Sequence, residues 1–434
     1  MLKKFFKYVS FNILGMIGLS CYILVDTFFV AQKLESVGLA ALNFAIPVYT
    51  IINGVGLMVG IGGATKFSID KETKGKASSI FMNCLVVGAV ISIILFITGF
   101  LFSKNVSYFL GADSTTIDYT NIYVKMILMF SPFYVLNNII IAFVKNDGFP
   151  QLSMTAMLVS SFSNIILDYV FMYIFDMKMF GAVLATCFSP IISLLILSIH
   201  FIRKKNNFSL CKFKLSINVV SKIISYGFSS FVGELASSVS LTIFNLILVN
   251  SYGRTSVAAY GIIANIALVG ISVFTGIAQG SQPLISVSCG KNNYKEIKAI
   301  TKYTAITSLI LSIIMYLVLF IFSKEIVSIF SGNEKDLTES AVLGTKIYFL
   351  GFIFSGINIS VSSIFSASLR YKTAMLISLL RSCIVLIPTV IICNLFGELL
   401  IVWLSYPITE FIVFIITLIS LVKYNFYNKK IQIK

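Results

Sequence analysis

The sequence is a succession of apolar stretches, each about the 20 residues that a helix needs to cross the hydrocarbon core of a bilayer. Twelve fall near residues 9–32, 37–66, 77–102, 117–144, 151–175, 180–202, 217–250, 256–287, 299–322, 339–367, 373–395 and 398–423. Hydrophobic residues make up 58% of the chain and charged residues only 12%, against about 25% charged in soluble domains. A soluble globular fold is therefore excluded. In lipid the backbone must satisfy its own polar groups, so the spans are predicted to be helices and the class all-α integral membrane. Pro47, Pro132, Pro190, Pro283, Pro388 and Pro407 lie within spans. Each deletes a backbone donor and bends its helix, which packed neighbours can accommodate. The start, MLKKFFKYVS, runs into the first span without an A-x-A-like cleavage site, so no removable signal is expected.

A net charge of +16 raises the possibility of nucleic acid, but its placement argues for orientation in a membrane instead. Lys3, Lys4 and Lys7 are followed by Lys66, Lys71, Lys74 and Lys76, and then by Arg203, Lys204, Lys205, Lys212 and Lys214. Lys291, Lys295 and Lys298, then Arg370 and Lys372, and finally Lys423, Lys429, Lys430 and Lys434 continue the alternation. The intervening loops carry acids such as Asp113, Glu334, Asp336 and Glu339. This positive-inside pattern puts both termini in the cytoplasm, with membrane lipid as surroundings and no nucleic-acid partner. The seven cysteines are scattered without a C-x-x-C pair and read as small apolar residues. His200 stands alone at the end of a span, which argues against a histidine metal site.

The polar segment 203–216 divides the chain into an amino-terminal lobe, 1–202, and a carboxy-terminal lobe, 217–434, of six spans each. The halves resemble one another. Gly56, Gly60, Ser68 and Lys71 match Gly276, Gly280, Ser288 and Lys291 at an offset of 220. Phe109, Gly111, Lys125, Asn137 and Met154 match Phe330, Gly332, Lys346, Asn358 and Met375 at 221. Six spans per repeat start both repeats on the same side, so the predicted pseudo-symmetry axis is the membrane normal, as in parallel-repeat transporters.

Asp26 and Asp168 lie deep in the first and fifth spans, where a carboxylate costs about 2.5–3.5 kcal/mol on insertion scales and marks an ion or proton route. Asn164 precedes Asp168 by one helical turn on the same face, and Thr186 follows a small-residue stretch in the sixth span. Two carboxylates, an amide and a hydroxyl suit Na⁺, and the same carboxylates desolvated together suit H⁺. The structural alternative has Asp168 bonded to local backbone and Asp26 paired with Lys33. The second half lacks these acids, since Leu246 or Asn245 stands opposite Asp26 and Pro388 or Thr389 opposite Asp168. Arg381 and Glu410 could pair between the last two spans. Glu234, Gln279 and Gln282 could line a substrate cavity, or could make structural hydrogen bonds. No P-loop, zinc motif or Ser/His/Asp arrangement is visible, so the chain reads as a non-enzyme without a cofactor.

Taken together, Asp26-Thr-Phe-Phe-Val30, Val37-Gly-Leu-Ala-Ala-Leu-Asn43 with Pro47, Asn164-Ile-Ile-Leu-Asp168, Gly181-Ala-Val-Leu-Ala-Thr186 and Gln279-Gly-Ser-Gln-Pro-Leu-Ile285 resemble the multidrug and toxic compound extrusion family. The resemblance implies twelve transmembrane helices in two pseudo-symmetric six-helix bundles, V-shaped, acting as an alternating-access antiporter. Such a protein exports small organic cations in exchange for Na⁺ or H⁺ and is expected to be a monomer in the cell membrane. The resemblance also maps the cation site of the family's amino-terminal-lobe branch onto Asp26, Asn164, Asp168 and Thr186, with Asn138 joining them. Asn43, Glu234, Gln279 and Gln282 are the expected substrate contacts. Lys145 stands where an arginine is commoner, and the tenth span carries no acid. The competing readings are a flippase for lipid-linked oligosaccharide and a non-transporting receptor.

Overall fold

The computed structural model describes residues 1–70, 76–204, 206–331 and 334–423. Lys71, Lys74, Lys205, Gly332, Lys429, Lys430 and Lys434, on which part of the charge and repeat patterns rests, lie outside the described residues. Those described are helical or irregular, without a β-strand among them. Among the described residues, eleven helices are long and apolar enough to span a membrane, and a pair bent by 50°, taken as one span, brings the number to twelve. In chain order they are α1 (Leu2–Glu35), α2 (Val37–Asp70), α3 (Ala77–Phe109), the bent α4 (Ile117–Met129 and Ser131–Asn146), α5 (Pro150–Ile174) and α6 (Lys178–Ile202). Then follow α7 (Ile217–Ser251), α8 (Thr255–Gly290), α9 (Tyr294–Ile321), α10 (Lys335–Ala367), α11 (Tyr371–Leu395) and α12 (Leu399–Lys423). The chain is thus a multi-pass, twelve-helix membrane protein. Helix α1 passes into α2 without a loop, through Glu35 at φ 53° and ψ −150°, a conformation that L side chains rarely adopt.

The repeat is visible in backbone detail. The break in α4 at Phe130 lies 221 residues before Gly351, which closes the matching tight turn in α10. Gly148, at φ 104°, ends α4, and Leu369, at φ 66°, ends α10. Ser153 Oγ donates to Ile141 O, and at the same pair of positions 221 residues on the direction is reversed, Ser362 Oγ donating to Ala374 O.

The helices group into two compact units, residues 14–234 and residues 1–13 with 235–434. In the first, Gly62 and Gly227 bring α2 and α7 to backbone contact: a Cβ on Gly62 would collide with Ile223 O, and one on Gly227 with Met58 O. The connecting segment also belongs here. Asn207 donates to Asp147 through its backbone N–H (2.8 Å) and its amide (2.6 Å), Ser209 N–H reaches Ser78 Oγ, and Phe208 is buried among Phe67, Phe81 and Phe143. His200 Nε2 lies 3.1 Å from Asp147 Oδ2.

In the second unit, Gly276 and Gly280 of α8 admit the backbone of α1 at Ile13 and Val9. Arg381 and Glu410 form a buried ion pair there. Nε lies 3.0 Å from each carboxylate oxygen and Nη2 2.7 Å from Oε1, while Asn358 Nδ2 donates to Oε2 at 2.8 Å. The seven cysteines are free thiols.

Candidate cation site

Four of the five residues expected at the cation site converge within the unit 14–234. Helix α1 lies close on α5 because Gly15 and Gly18 present no side chain. A Cβ on Gly15 would stand 3.1 Å from Met157 Sδ, and one on Gly18 2.6 Å from Leu158 Cδ2. Both odd-numbered spans run in the same direction, so two to three turns farther on Asp26 and Asp168 come level. The charge of Asp26 acts on the Asp168 carboxyl. Both are buried, Asp26 at 5% exposure and Asp168 at 0%.

Helix α6 brings the remaining oxygens. Its first turn is tucked against α5 at Gly181, where a Cβ would meet the Phe171 backbone at 3.0 Å. Ala182 and Ala185 are fully buried beside it. In the amide orientation that satisfies both ends, Asn164 donates to Asp168 Oδ2 and accepts from Thr186 N–H, each at 3.1 Å. Directly after Asp168, α5 widens into a π-helical turn, Val170–Ile174, a local irregularity that often accompanies functional sites.

One oxygen on each acid, Asp26 Oδ1 and Asp168 Oδ1, is buried without a hydrogen-bond partner. Buried polar atoms are rarely left so. Two such oxygens, on carboxylates of which one acts on the other's charge, suit a small positive ion, either a proton or a hard cation. Asp26 does not pair with Lys33, whose Nζ lies 2.9 Å from Asp176 Oδ1. That contact lowers the Asp176 carboxyl below its ordinary range through hydrogen bonding and charge.

Buried tyrosines lie in the same unit, a feature sequence reasoning missed. Tyr22 and Tyr49 share a hydrogen bond of 3.0 Å, and Tyr134 donates to Thr186 O at 2.7 Å. Tyr22 stands one turn before Asp26 on the same face of α1, and that spacing was the available signal.

Asn138 takes a different place. Its amide donates to Asn53 Oδ1 (2.9 Å) and to Tyr134 O (3.1 Å), and Asn53 in turn donates to Glu234 Oε1 at 2.8 Å. Asn138 thus belongs to a line of amides ending on Glu234. Asn43 is exposed, and Gln282 is buried with Nε2 3.3 Å from Ser286 Oγ on its own helix.

The sequence pattern of the MatE family matches residues 12–170 and 230–392. The chain is 26% identical over 387 residues to the multidrug export protein MepA of Staphylococcus saprophyticus, covering 88% of this chain and 85% of that one. It is similar to the solved MATE multidrug transporter DinF-BH, with TM-score 0.89, 25% identity, and coverage of 98% and 97%. It also shares its fold with a MOP superfamily transporter from Pyrococcus furiosus, for which reverse polarity of the binding pocket suggests a different function. That likeness has a TM-score of 0.92 at 18% identity, over 98% of this chain and 97% of the other.

Proposed function

The chain belongs to the MatE family, and on that premise we propose that it is a multidrug exporter of the cell membrane. In this reading it is a monomer with both termini cytoplasmic, and it expels organic cations by alternating access as Na⁺ or H⁺ enters through the amino-terminal lobe. The observation that carries the reading is the buried Asp26–Asp168 pair with one unpartnered oxygen on each acid.

The chemistry follows from charge. With both carboxylates ionised and no cation between them, they repel across the α1–α5 contact. A cation reaching the pair removes that repulsion and draws α1 onto α5 over Gly15 and Gly18. Asn164 holds Asp168 in place throughout, anchored on Thr186 N–H. Moving α1 changes the surface it offers to substrate. Coupling requires that cation and drug each weaken the other's binding by the same factor. The expected substrate contacts at Asn43, Glu234, Gln279 and Gln282 are part of this proposal, with Glu234 supplying negative charge to an organic cation.

A carboxylate about 4 Å from a cation, at an effective dielectric of about 20, contributes about 4 kcal/mol, close to a thousandfold in affinity. Efflux of a fluorescent cation from proteoliposomes under imposed Na⁺ or pH gradients tests the reading. Asp168→Asn should abolish gradient-driven efflux while the protein remains folded, and undiminished transport by that variant would defeat the assignment. The flippase reading calls for intramembrane cations free to meet phosphate, whereas Arg381 is already engaged by Glu410.

A further inference from the structure

Pro190 lies in the interior of α6, four residues beyond Thr186. A helical residue donates its N–H to the carbonyl four residues earlier, and proline has no N–H to give. The Thr186 carbonyl therefore loses its helical donor, and the proline ring pushes it away from the helix axis. Left alone in an apolar bundle, such an acceptor is costly. Tyr134 of α4 supplies what Pro190 removes: its hydroxyl donates to Thr186 O at 2.7 Å, with Tyr134 6% exposed and Thr186 3% exposed. The Tyr134 ring is held edge-on to Tyr49, with centroids 5.9 Å apart, so the hydroxyl is not free to swing away.

The peptide unit on the other side of Thr186 is the one that anchors the site. With the Asn164 amide oriented to satisfy both ends, Thr186 N–H donates to Asn164 and Asn164 donates to Asp168. One residue of α6 thus takes a bond from α4 on its carbonyl and gives a bond to α5 from its amide. We propose that Tyr134 is a positioning residue for the cation site. By capping the carbonyl that Pro190 leaves open, it fixes the bend of α6 at the turn that holds Asn164, and through it the Asp168 carboxylate. Tyr134 touches no cation in this arrangement. The inference rests on the reading that the Asp26–Asp168 pair takes the coupling cation.

The test is a double-mutant cycle on the concentration of Na⁺ or H⁺ that half-saturates efflux. Tyr134→Phe keeps the ring and removes the hydroxyl, and should raise that concentration roughly tenfold, the size expected when a buried acceptor is left unpaired. Pro190→Ala returns an N–H to position 190, so the Thr186 carbonyl regains its helical donor. In that background Tyr134→Phe should change half-saturation by less than about twofold. A residue that merely fills space would lower the amount of folded protein equally in both backgrounds without moving cation affinity. Equal effects of Tyr134→Phe in the wild-type and Pro190→Ala backgrounds would overturn the proposal, as would an unchanged half-saturation in the Tyr134→Phe single variant.

Where Pro190→Ala yields an inactive protein, Pro190→Gly restores the same N–H. The cycle can then be read on the cation-induced rise in thermal midpoint of the purified protein. Asp168→Asn separates the two layers of the argument. If it transports normally, the cation-site reading fails whatever Tyr134 does. If it is inactive while Tyr134→Phe matches wild type, only the positioning role fails.

Discussion

Removing Arg381 should be far more damaging than removing Arg381 and Glu410 together. Glu410 is 1% exposed, and its carboxylate receives Arg381 Nε and Nη2 at 2.7–3.0 Å and Asn358 Nδ2 at 2.8 Å. Arg381 Nη2 also donates to Ser355 Oγ at 3.2 Å, and Tyr406 OH contacts the same oxygen at 3.3 Å. Arg381→Met leaves a buried anion with a single amide donor, which costs about 3–5 kcal/mol. A Coulomb estimate agrees, since opposite charges about 4 Å apart at an effective dielectric of about 20 attract by about 4 kcal/mol. Removing both charges with Arg381→Met and Glu410→Leu eliminates the desolvation cost along with the attraction. The double variant should therefore fall within about 1–2 kcal/mol of wild type. The sole tryptophan provides the assay. Trp403 is fully buried in the same compact unit, stacked 6.1 Å from Tyr260, so its fluorescence follows unfolding of that unit. At about 2–4 °C per kcal/mol for a unit of this size, the single variant should melt roughly 10 °C below wild type and the double within a few degrees. Equal loss in the single and double variants would refute the claim that the unpaired charge, rather than lost packing, sets the penalty.

Four further outcomes are expected. Asn53→Leu cuts the amide line to Glu234 and should reduce efflux of organic cations by roughly tenfold, while the cation concentration that half-saturates the Asp26–Asp168 pair shifts by less than about twofold, both read in the same proteoliposomes. Gly227→Ala sets a methyl against Met58 O, a backbone atom that cannot swing aside, and should cost more than about 3 kcal/mol in thermal unfolding. Gly233→Ala, on the same helix with nothing within 4 Å, should be neutral or stabilising by up to about 1 kcal/mol. Asp113, in the exposed loop before α4, accepts hydrogen bonds from the Thr115 and Thr116 side chains and backbone, which lower its carboxyl to about 2. A depressed carboxyl stabilises above its unfolded value, about 3.9, so protection of the Thr115 and Thr116 amides from exchange should hold down to about pH 4 and fall as pH drops toward 2.

The spans were legible because the bilayer imposes one length and one polarity on every crossing, and the repeat because 221-residue register survives in loops and breaks as well as in residues. Asn164 and Asp168 were legible as a pair because helical spacing alone puts them on one face. The allegiance of helix halves was not. Residues 1–13 of α1 group with the second unit, and residues 217–234 of α7 with the first. What decides this is a handful of glycines that admit a foreign backbone: Gly276 and Gly280 for α1, Gly62 and Gly227 for the α2–α7 contact. Gly276 and Gly280 were visible in sequence only as repeat matches to Gly56 and Gly60. The bond from Tyr134 to Thr186 was equally hidden, because a proline's missing donor does not say which distant hydroxyl replaces it. Asn138, the amide expected beside the acids, donates to Asn53, which in turn donates to Glu234, a partnership that helix spacing alone does not reveal.

In the proposed function, Asp26 and Asp168 bind one positive ion between them. Calorimetric titration of purified wild type, Asp26→Asn, Asp168→Asn and the double variant with Na⁺, and with H⁺ in its absence, measures this directly. One saturable cation per chain is expected, with an affinity loss of more than about a hundredfold for either single variant and no further loss in the double. Wild-type affinity in either single variant, or losses that simply add in the double, would contradict it.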